Sequence, residues 1–307
     1  MNFKLLGIGE ILWDLLPGGK RLGGAPANFA YHATALGAEA RIVSRVGRDS
    51  NGRELLQRLT ELDVPTDCVE VDPNAPTGTV SVDITADGQP NFTIHENVAW
   101  DYIAGEATAQ QAASEAHAVC FGTLAQRSPV SREAIRQLLS LVPAESLRVF
   151  DVNLRQDFYS RELIEQSLAQ ANVLKVNDAE LVRLAEMFGL AGDAREQLSD
   201  LARRYHLRVV ACTRGEHGSL LLADGRWSDF PGAPVKVADT IGAGDSFTAA
   251  MTLGLLAGWD LDRINHRANQ VAGYVASCAG ATPELPTDLR LSFVASKSYQ
   301  YPKPQLI

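Results

Sequence analysis

Asp239-Thr240-Ile241-Gly242-Ala243-Gly244-Asp245-Ser246-Phe247 is the segment of this chain whose residue types could most clearly do chemistry together. Gly242 and Gly244 permit close backbone approach and unusual dihedrals. The apolar pattern that follows predicts a long helix over about 244–257. A glycine-rich turn at a helix N-terminus presents unpaired N–H groups and the positive end of the helix dipole, which together make an anion site. Asp245 lies inside that turn, where its charge would repel a simple anion. Two readings stand. Asp245 is a helix cap, or it is a general base placed where a phosphoryl group is transferred. In the second, the turn amides stabilise the phosphoryl oxygens while Asp245 accepts the proton of an attacking hydroxyl.

A second constellation is Gly23-Gly24-Ala25-Pro26-Ala27-Asn28, which leads into another helical pattern. A double glycine there is by itself a tight turn. Asn28 adds one donor and one acceptor group in the first helical turn, which suits a polyol. Asp14 ends the run Gly9-Glu10-Ile11-Leu12-Trp13-Asp14. It reads either as a clamp on sugar hydroxyls or as a solvated loop acid. Other phosphate and metal signatures are missing from the sequence. There is no G-x-x-x-x-G-K-[ST]. Neither Gly7-Ile8-Gly9 nor Gly242-Ala243-Gly244 completes G-x-G-x-x-G, which argues against a nicotinamide oxidoreductase. His95-Glu96 lacks the second histidine of a zinc motif, and the six histidines are scattered in structural positions.

The elements that must position these residues follow from periodicity. Short apolar runs at 3–8, 40–46, 118–121, 147–153, 173–176 and 208–213 predict strands. Helical patterns lie at 27–36, 53–62, 131–141, 161–169, 178–188 and 194–205, and a last helix at about 261–278. Alternation of this kind predicts an α/β fold, a mostly parallel sheet with helices on both faces and ligands beyond the carboxyl ends of the strands. Residues 79–85 alternate with period two, 86–90 read as a turn, and 91–95 resume the strand pattern. This predicts an antiparallel hairpin set beside the main sheet. The C-terminal segment 299–305 reads as irregular.

Composition bounds the partners. The 307 residues carry a net charge of −9, which argues against nucleic acid but leaves a nucleotide ligand open. No apolar run approaches the ~18–20 residues needed to span a bilayer. The first residues read as a buried strand rather than a leader, which predicts a cytoplasmic protein. The four cysteines are widely spaced, in keeping with a reduced compartment.

At this point the residues resemble a known family, the ribokinase-like sugar kinases of the phosphofructokinase B type. Two signatures carry the resemblance. One is Gly23-Gly24-Ala25-Pro26-Ala27-Asn28, continuing through Leu36-Gly37 to Arg45-Val46-Gly47-Arg48-Asp49-Ser50-Asn51-Gly52. The other runs from Asp239-Thr240 to Gly244-Asp245. Their order and separation fit, and the likeness covers nearly the whole chain. It implies a three-layer α/β sandwich over 1–307 as a single kinase domain, with a small β lid inserted from about 10–22 and 76–100. It implies ATP and Mg²⁺, Asp245 as catalytic base, and Gly242, Ala243 and Gly244 as the anion hole. Asp14, Gly24 and Asn28 become sugar contacts. Asn177-Asp178-Ala179-Glu180 resembles the N-x-x-E element associated with magnesium and phosphate; as residues alone it is a helix cap followed by acids. Thr213-Arg214-Gly215-Glu216-His217-Gly218 resembles the segment at the nucleotide ribose, with a plain β-turn before a strand at 219–223 as the bland reading. Asn269 is implied beside the adenine. Asp239 and Ala279-Gly280-Ala281-Thr282 resemble the site where many members bind a monovalent cation, often K⁺. Pairing of lids implies a homodimer.

Within the family, Gly9–Asp14, Ala99-Trp100-Asp101 and Asp151-Val152-Asn153-Leu154-Arg155 resemble bacterial fructokinases most. Arg155 is implied to reach the sugar or a phosphate, with a salt bridge as the other reading. Gln126-Arg127-Ser128-Pro129 lacks the acid that ribose-specific members tend to carry before Ser-Pro. Arg127 or Arg155 could instead favour an acidic or phosphorylated sugar. Ketodeoxygluconate, ribose and sugar phosphates therefore stand behind fructose. A non-catalytic nucleotide or sugar sensor is the alternative of another class, and it would have no need of Asp245.

Overall fold

The computed structural model describes residues 3–16, 18–84 and 90–294. The tight part of the predicted hairpin turn and the C-terminal segment 299–305 lie outside them. Nine strands form one sheet in the order β13-β12-β11-β10-β9-β8-β1-β4-β5. Their ranges are β1 Lys4–Ile8, β4 Glu39–Gly47, β5 Val69–Asp72, β8 Ala118–Phe121, β9 Leu147–Asp151, β10 Val173–Asn177, β11 Val209–Thr213, β12 Ser219–Ala223 and β13 Arg226–Phe230. Pairing is parallel from β5 to β11; β12 and β13 then turn back antiparallel at one edge.

The central strands are apolar because both of their faces are covered. Alternate residues divide between two cores. Leu6, Val119, Phe121, Phe150, Leu174 and Val210 enter one. Leu5, Ala118, Cys120, Val149, Val173 and Ala211 enter the other. The helices α3 Ala107–Ser114, α4 Pro129–Leu141, α5 Arg161–Gln170, α6 Asp178–Phe188 and α7 Ala194–Arg204 contribute to the first core. The helices α1 Ala25–Ala35, α2 Ser50–Glu61, α8 Ala243–Leu256 and α9 Leu261–Ala276 contribute to the second, and α10 Thr287–Val294 adds Phe293 at its edge. Helix α8 is buried from Ser246 to Leu255. It packs against both α1 and α9, which explains its apolar residues on every face.

A second, four-stranded sheet stands beside the first, in the order β3-β2-β6-β7. It consists of β2 Leu12–Leu16, β3 Gly19–Gly23, β6 Thr79–Ile84 and β7 Pro90–Ile94. The Gly47–Gly52 part of the first signature anchors this sheet. Asp49 caps α2 through the Gly52 N–H at 2.7 Å, and it also accepts the Thr77 N–H at 2.8 Å and the Thr77 hydroxyl at 2.7 Å. The Thr77 hydroxyl in turn accepts the Gly47 N–H at 2.9 Å. Trp13 of β2 donates its indole N–H to Asn51 O at 3.0 Å. No helix among the described residues is long and apolar enough to cross a membrane.

Candidate active site

Gly242 opens the turn before α8 with φ +81°, a left-handed conformation that favours glycine. A Cβ there would meet Ala281 O at 2.5 Å, so no side chain fits. No side chain caps this helix. The Ala243 N–H reaches Thr240 O at 3.3 Å. The N–H groups of Gly242, Gly244 and Asp245 find no acceptor among the described residues. A helix N-terminus left open in this way is an anion site.

Asp245 does not cap the helix. Its Oδ2 accepts the Asn28 Nδ2–H at 2.8 Å, joining the two glycine-rich signatures across 217 residues. Burial pushes the Asp245 carboxyl up to about 6, and the negative Asp151 adds to the rise. Asn28, Lys175 and Arg155 pull in the other direction. The other amide atom of Asn28, Oδ1, is buried with no partner among the described residues. A buried orphan acceptor costs stability until a donor reaches it.

Gly24 precedes α1 with φ +107°, and a Cβ there would strike Glu10 O at 2.4 Å. Glu10 is a functional candidate that sequence reasoning passed over. It is 3% exposed at the end of β1, and its Oε1 accepts the Ala25 N–H at 3.3 Å. Burial lifts its carboxyl to about 7. Asp14 stands on β2 of the second sheet, where burial lifts it to about 6. Arg155 leaves the β9 end exposed, and its Nη1 donates to Leu154 O at 3.0 Å. Its charge draws Glu10, Asp14 and Asp245 back toward ordinary acidity. Arg155 thus acts on three carboxyls, and Arg21 also acts on Asp14. Arg127 is clamped between Trp100 and Phe158, with ring centroids at 4.0 and 4.6 Å, and it pairs with both oxygens of Asp101 at 2.8 and 3.0 Å.

Behind the turn lies a buried cation, also missed from sequence. Lys175 Nζ pairs with Asp151 Oδ1 at 3.0 Å, and Asp151 Oδ2 accepts the Thr248 hydroxyl of α8 at 2.8 Å. A Cβ on Gly244 would stand 3.1 Å from Lys175 Nζ, so the missing side chain admits the ammonium to the turn. Burial alone would lower the pKa of Lys175, but Asp151, Glu180 and Asp245 raise it above its ordinary value and keep the charge. The signal was legible: a lysine within the apolar run Val173-Leu174-Lys175-Val176 needs a buried partner.

The remaining candidates lie along the carboxyl ends of β10 and β11. Asn177 and Glu180 form a reciprocal capping box on α6. Glu180 Oε2 accepts the Asn177 N–H at 2.8 Å and Oε1 accepts the Leu154 N–H at 3.0 Å. Each Glu180 oxygen thus accepts one backbone N–H. No cluster of three or more His, Cys, Asp or Glu able to hold a metal occurs among the described residues. Thr213 ends β11 beside Asn177. Gly215 borders open space, whereas Gly218 packs against Phe230 O, where a Cβ would stand at 2.0 Å. Gly218 therefore has no room for a side chain. Asn269 donates to the Ser219 hydroxyl at 2.7 Å and to Asn265 O at 2.8 Å. Asp239 accepts from the Ile241 and Gly280 N–H groups at 3.0 and 3.1 Å and from Arg21 Nη1 at 3.0 Å.

Comparison with known proteins agrees with this geometry. Residues 18–288 match the pfkB family carbohydrate kinase description. The chain is 30% identical to a fructokinase of Klebsiella pneumoniae over 93% of this chain and 97% of that one. It is similar to the crystal structure of a sugar kinase from Pyrococcus horikoshii in complex with ATP, at 29% identity and a TM-score of 0.77, covering 91% of this chain and 94% of that one. A fructokinase from Xylella fastidiosa with bound ATP shares the fold at 22% identity and a TM-score of 0.81, over 96% and 98% of the two chains. With the family match spanning most of its length and both family signatures joined at Asp245 and Asn28, the chain belongs to the pfkB family of carbohydrate kinases.

Proposed function

We propose that this kinase transfers the γ-phosphoryl group of Mg-ATP to a hydroxyl of a hexose, with fructose as the preferred acceptor. The observation that carries the reading is the Asp245–Asn28 pair at the open N-terminus of α8. The sugar hydroxyl donates to Asn28 Oδ1 or Asp245, which orients its oxygen toward the γ-phosphorus. As the new O–P bond forms and the bond to the β-phosphate oxygen breaks, Asp245 takes the hydroxyl proton. The free amides of Gly244 and Asp245 meet the charge on the transferring oxygens, and the buried Lys175 adds positive potential behind them. ADP leaves with the β-phosphate oxygen. Asp14 and Gly24 complete the sugar side. Asn177, Thr213, Gly215 and Asn269 flank the nucleotide. The second sheet acts as a lid that excludes water as a competing acceptor. Leu15, 37% exposed on that sheet, supports pairing with a second copy of the chain. The buried unpaired Cys68, Cys120 and Cys212 support a cytoplasmic site.

Fructose is supported by the fructokinase relatives and by the resemblance of Asp151–Arg155 to their segment. A coupled ADP-release assay with Mg-ATP tests it against fructose, glucose, ribose, ketodeoxygluconate, adenosine and fructose 6-phosphate. Turnover highest with fructose is expected; a clear preference for any other compound removes the fructose assignment. Silence from folded, ATP-binding protein would favour the sensor reading. The exposed Arg155 favours one second reading, an acidic sugar. Arg155→Met separates the two: it should raise KM for an acidic sugar ~10-fold or more, the size of a lost charged hydrogen bond, and change KM for fructose much less.

A further inference from the structure

Arg21 belongs to β3 of the second sheet, yet its Nη1 reaches Asp239 Oδ2 in the body of the protein at 3.0 Å, across 218 residues of sequence. Asp239 is no ordinary surface acid. Its Oδ1 accepts the Ile241 N–H and its Oδ2 the Gly280 N–H. Ile241 immediately precedes Gly242, and Gly280 adjoins Ala281, on which Gly242 packs too closely for a side chain. Helix α1 holds the same loop from beneath. His32 Nε2 lies 2.9 Å from Ala281 O, and the Tyr31 hydroxyl donates to Pro283 O at 2.8 Å. Asp239 therefore staples together the two loops that shape the anion turn, and Arg21 attaches the second sheet to that staple. Along the ladder of β2 and β3, Arg21 stands opposite Asp14, the sugar-side carboxylate.

We propose that Arg21 is a positioning residue for phosphoryl transfer: its guanidinium is a built-in cation that straps the lid to the turn carrying Asp245, so that lid closure and ordering of the anion turn are one event. This rests on the kinase and lid reading above. Arg21 is 47% exposed and Asp239 18% exposed. An ion pair so open to water adds little to global stability, so its effect is to fix geometry. A carboxylate that already takes two N–H groups and a guanidinium has little left for a monovalent cation, and the charge of Arg21 repels one. The protein then needs no K⁺ for the order that Arg21 provides.

Two measurements on the full chain test this. The first is hydrogen exchange by mass spectrometry on nucleotide-free Arg21→Met and Arg21→Lys. The strap predicts faster exchange in peptides covering 239–245 and 278–282 of Arg21→Met, remote in sequence from the substitution, with Arg21→Lys closer to the parent protein. Unchanged exchange at 239–245 in Arg21→Met overturns the proposal. The second is steady-state turnover with Mg-ATP and fructose. Arg21→Met should raise KM for the sugar about 5–10-fold, an ordinary size for coupling between sites, while KM for ATP holds and Arg21→Lys recovers part of the loss. Parent turnover should be equal in KCl and in tetramethylammonium chloride at matched ionic strength; activation several-fold by K⁺ would overturn the built-in cation. If fructose is not turned over, the substrate reading fails, and the exchange experiment still decides the strap.

Discussion

At the scale of the residue, the site is a set of carboxyls held where they are hard to ionise. Asp245 is pushed up to about 6, first by burial and then by Asp151. A general base acts when deprotonated. We therefore expect kcat/KM to rise with pH through about 6 and to level above it, in a pH–rate profile taken with saturating Mg-ATP. A profile flat from pH 5 to 8 would contradict the base assignment. Glu10 gives a separate prediction about stability. Its folded-state value of about 7 exceeds its ordinary value of 4.5. Between those values the folded chain binds more protons than the unfolded one, so stability falls as pH rises across that interval. The penalty is absent near pH 4 and complete above pH 7. Glu10→Gln keeps an acceptor for the Ala25 N–H and removes the charge. Thermal or urea unfolding should show the variant stabilised by roughly 1–3 kcal/mol at pH 8 and unchanged at pH 4. Equal differences at the two pH values would show that Glu10 is not a buried carboxyl held near neutrality.

At the scale of the element, strand ends and helix starts do the positioning. The salt bridge of Lys175 with Asp151 ties β10 to β9, and the Thr248 hydroxyl ties both to α8. Lys175→Met leaves a buried carboxylate unpaired and should cost about 3–5 kcal/mol in urea unfolding. Adding Asp151→Asn should recover most of that stability without recovering turnover, because the positive charge behind Gly244 is still missing. Recovery of full turnover in the double variant would assign the pair a purely structural role. The strands that shape this scaffold were legible because their apolar runs are short and bounded: 118–121 and 219–223 are the observed β8 and β12. β13 and α3 were not picked out. Arg226-Trp227-Ser228-Asp229-Phe230 carries two charges in five residues, and α3 is a short, alanine-rich turn of chain with a weak apolar stripe. Glu10 and Lys175 escaped for the opposite reason. Each sits singly within an apolar run, and only the fold shows which partner compensates it. The helix cap at Asn177 and the acid at Glu180 were legible from residue types alone.

At the scale of the whole molecule, a nine-stranded and a four-stranded sheet carry the candidate residues. The larger sheet brings the ends of β1, β9, β10 and β11 into one row, while Asp14 and Arg21 stand opposite each other on β2 and β3 of the smaller. The α/β class was legible from alternation, and the family from two signatures. The pairing of those signatures, Asn28 with Asp245, needed the folded chain. Sugar identity is the least legible property, because it depends on how side chains distant in sequence are brought together. Arg127 illustrates the point: its sequence neighbourhood suggested a substrate contact, and the fold commits it to Asp101 and two aromatic rings. The central claim is that Asp245 takes the proton during phosphoryl transfer. Single-turnover transfer from Mg-ATP to fructose, compared between the parent protein and Asp245→Asn with ATP binding measured alongside, tests it most directly. The account predicts intact fold and ATP binding with the rate down ~10²–10⁴-fold; transfer at near the parent rate by the folded variant would contradict it.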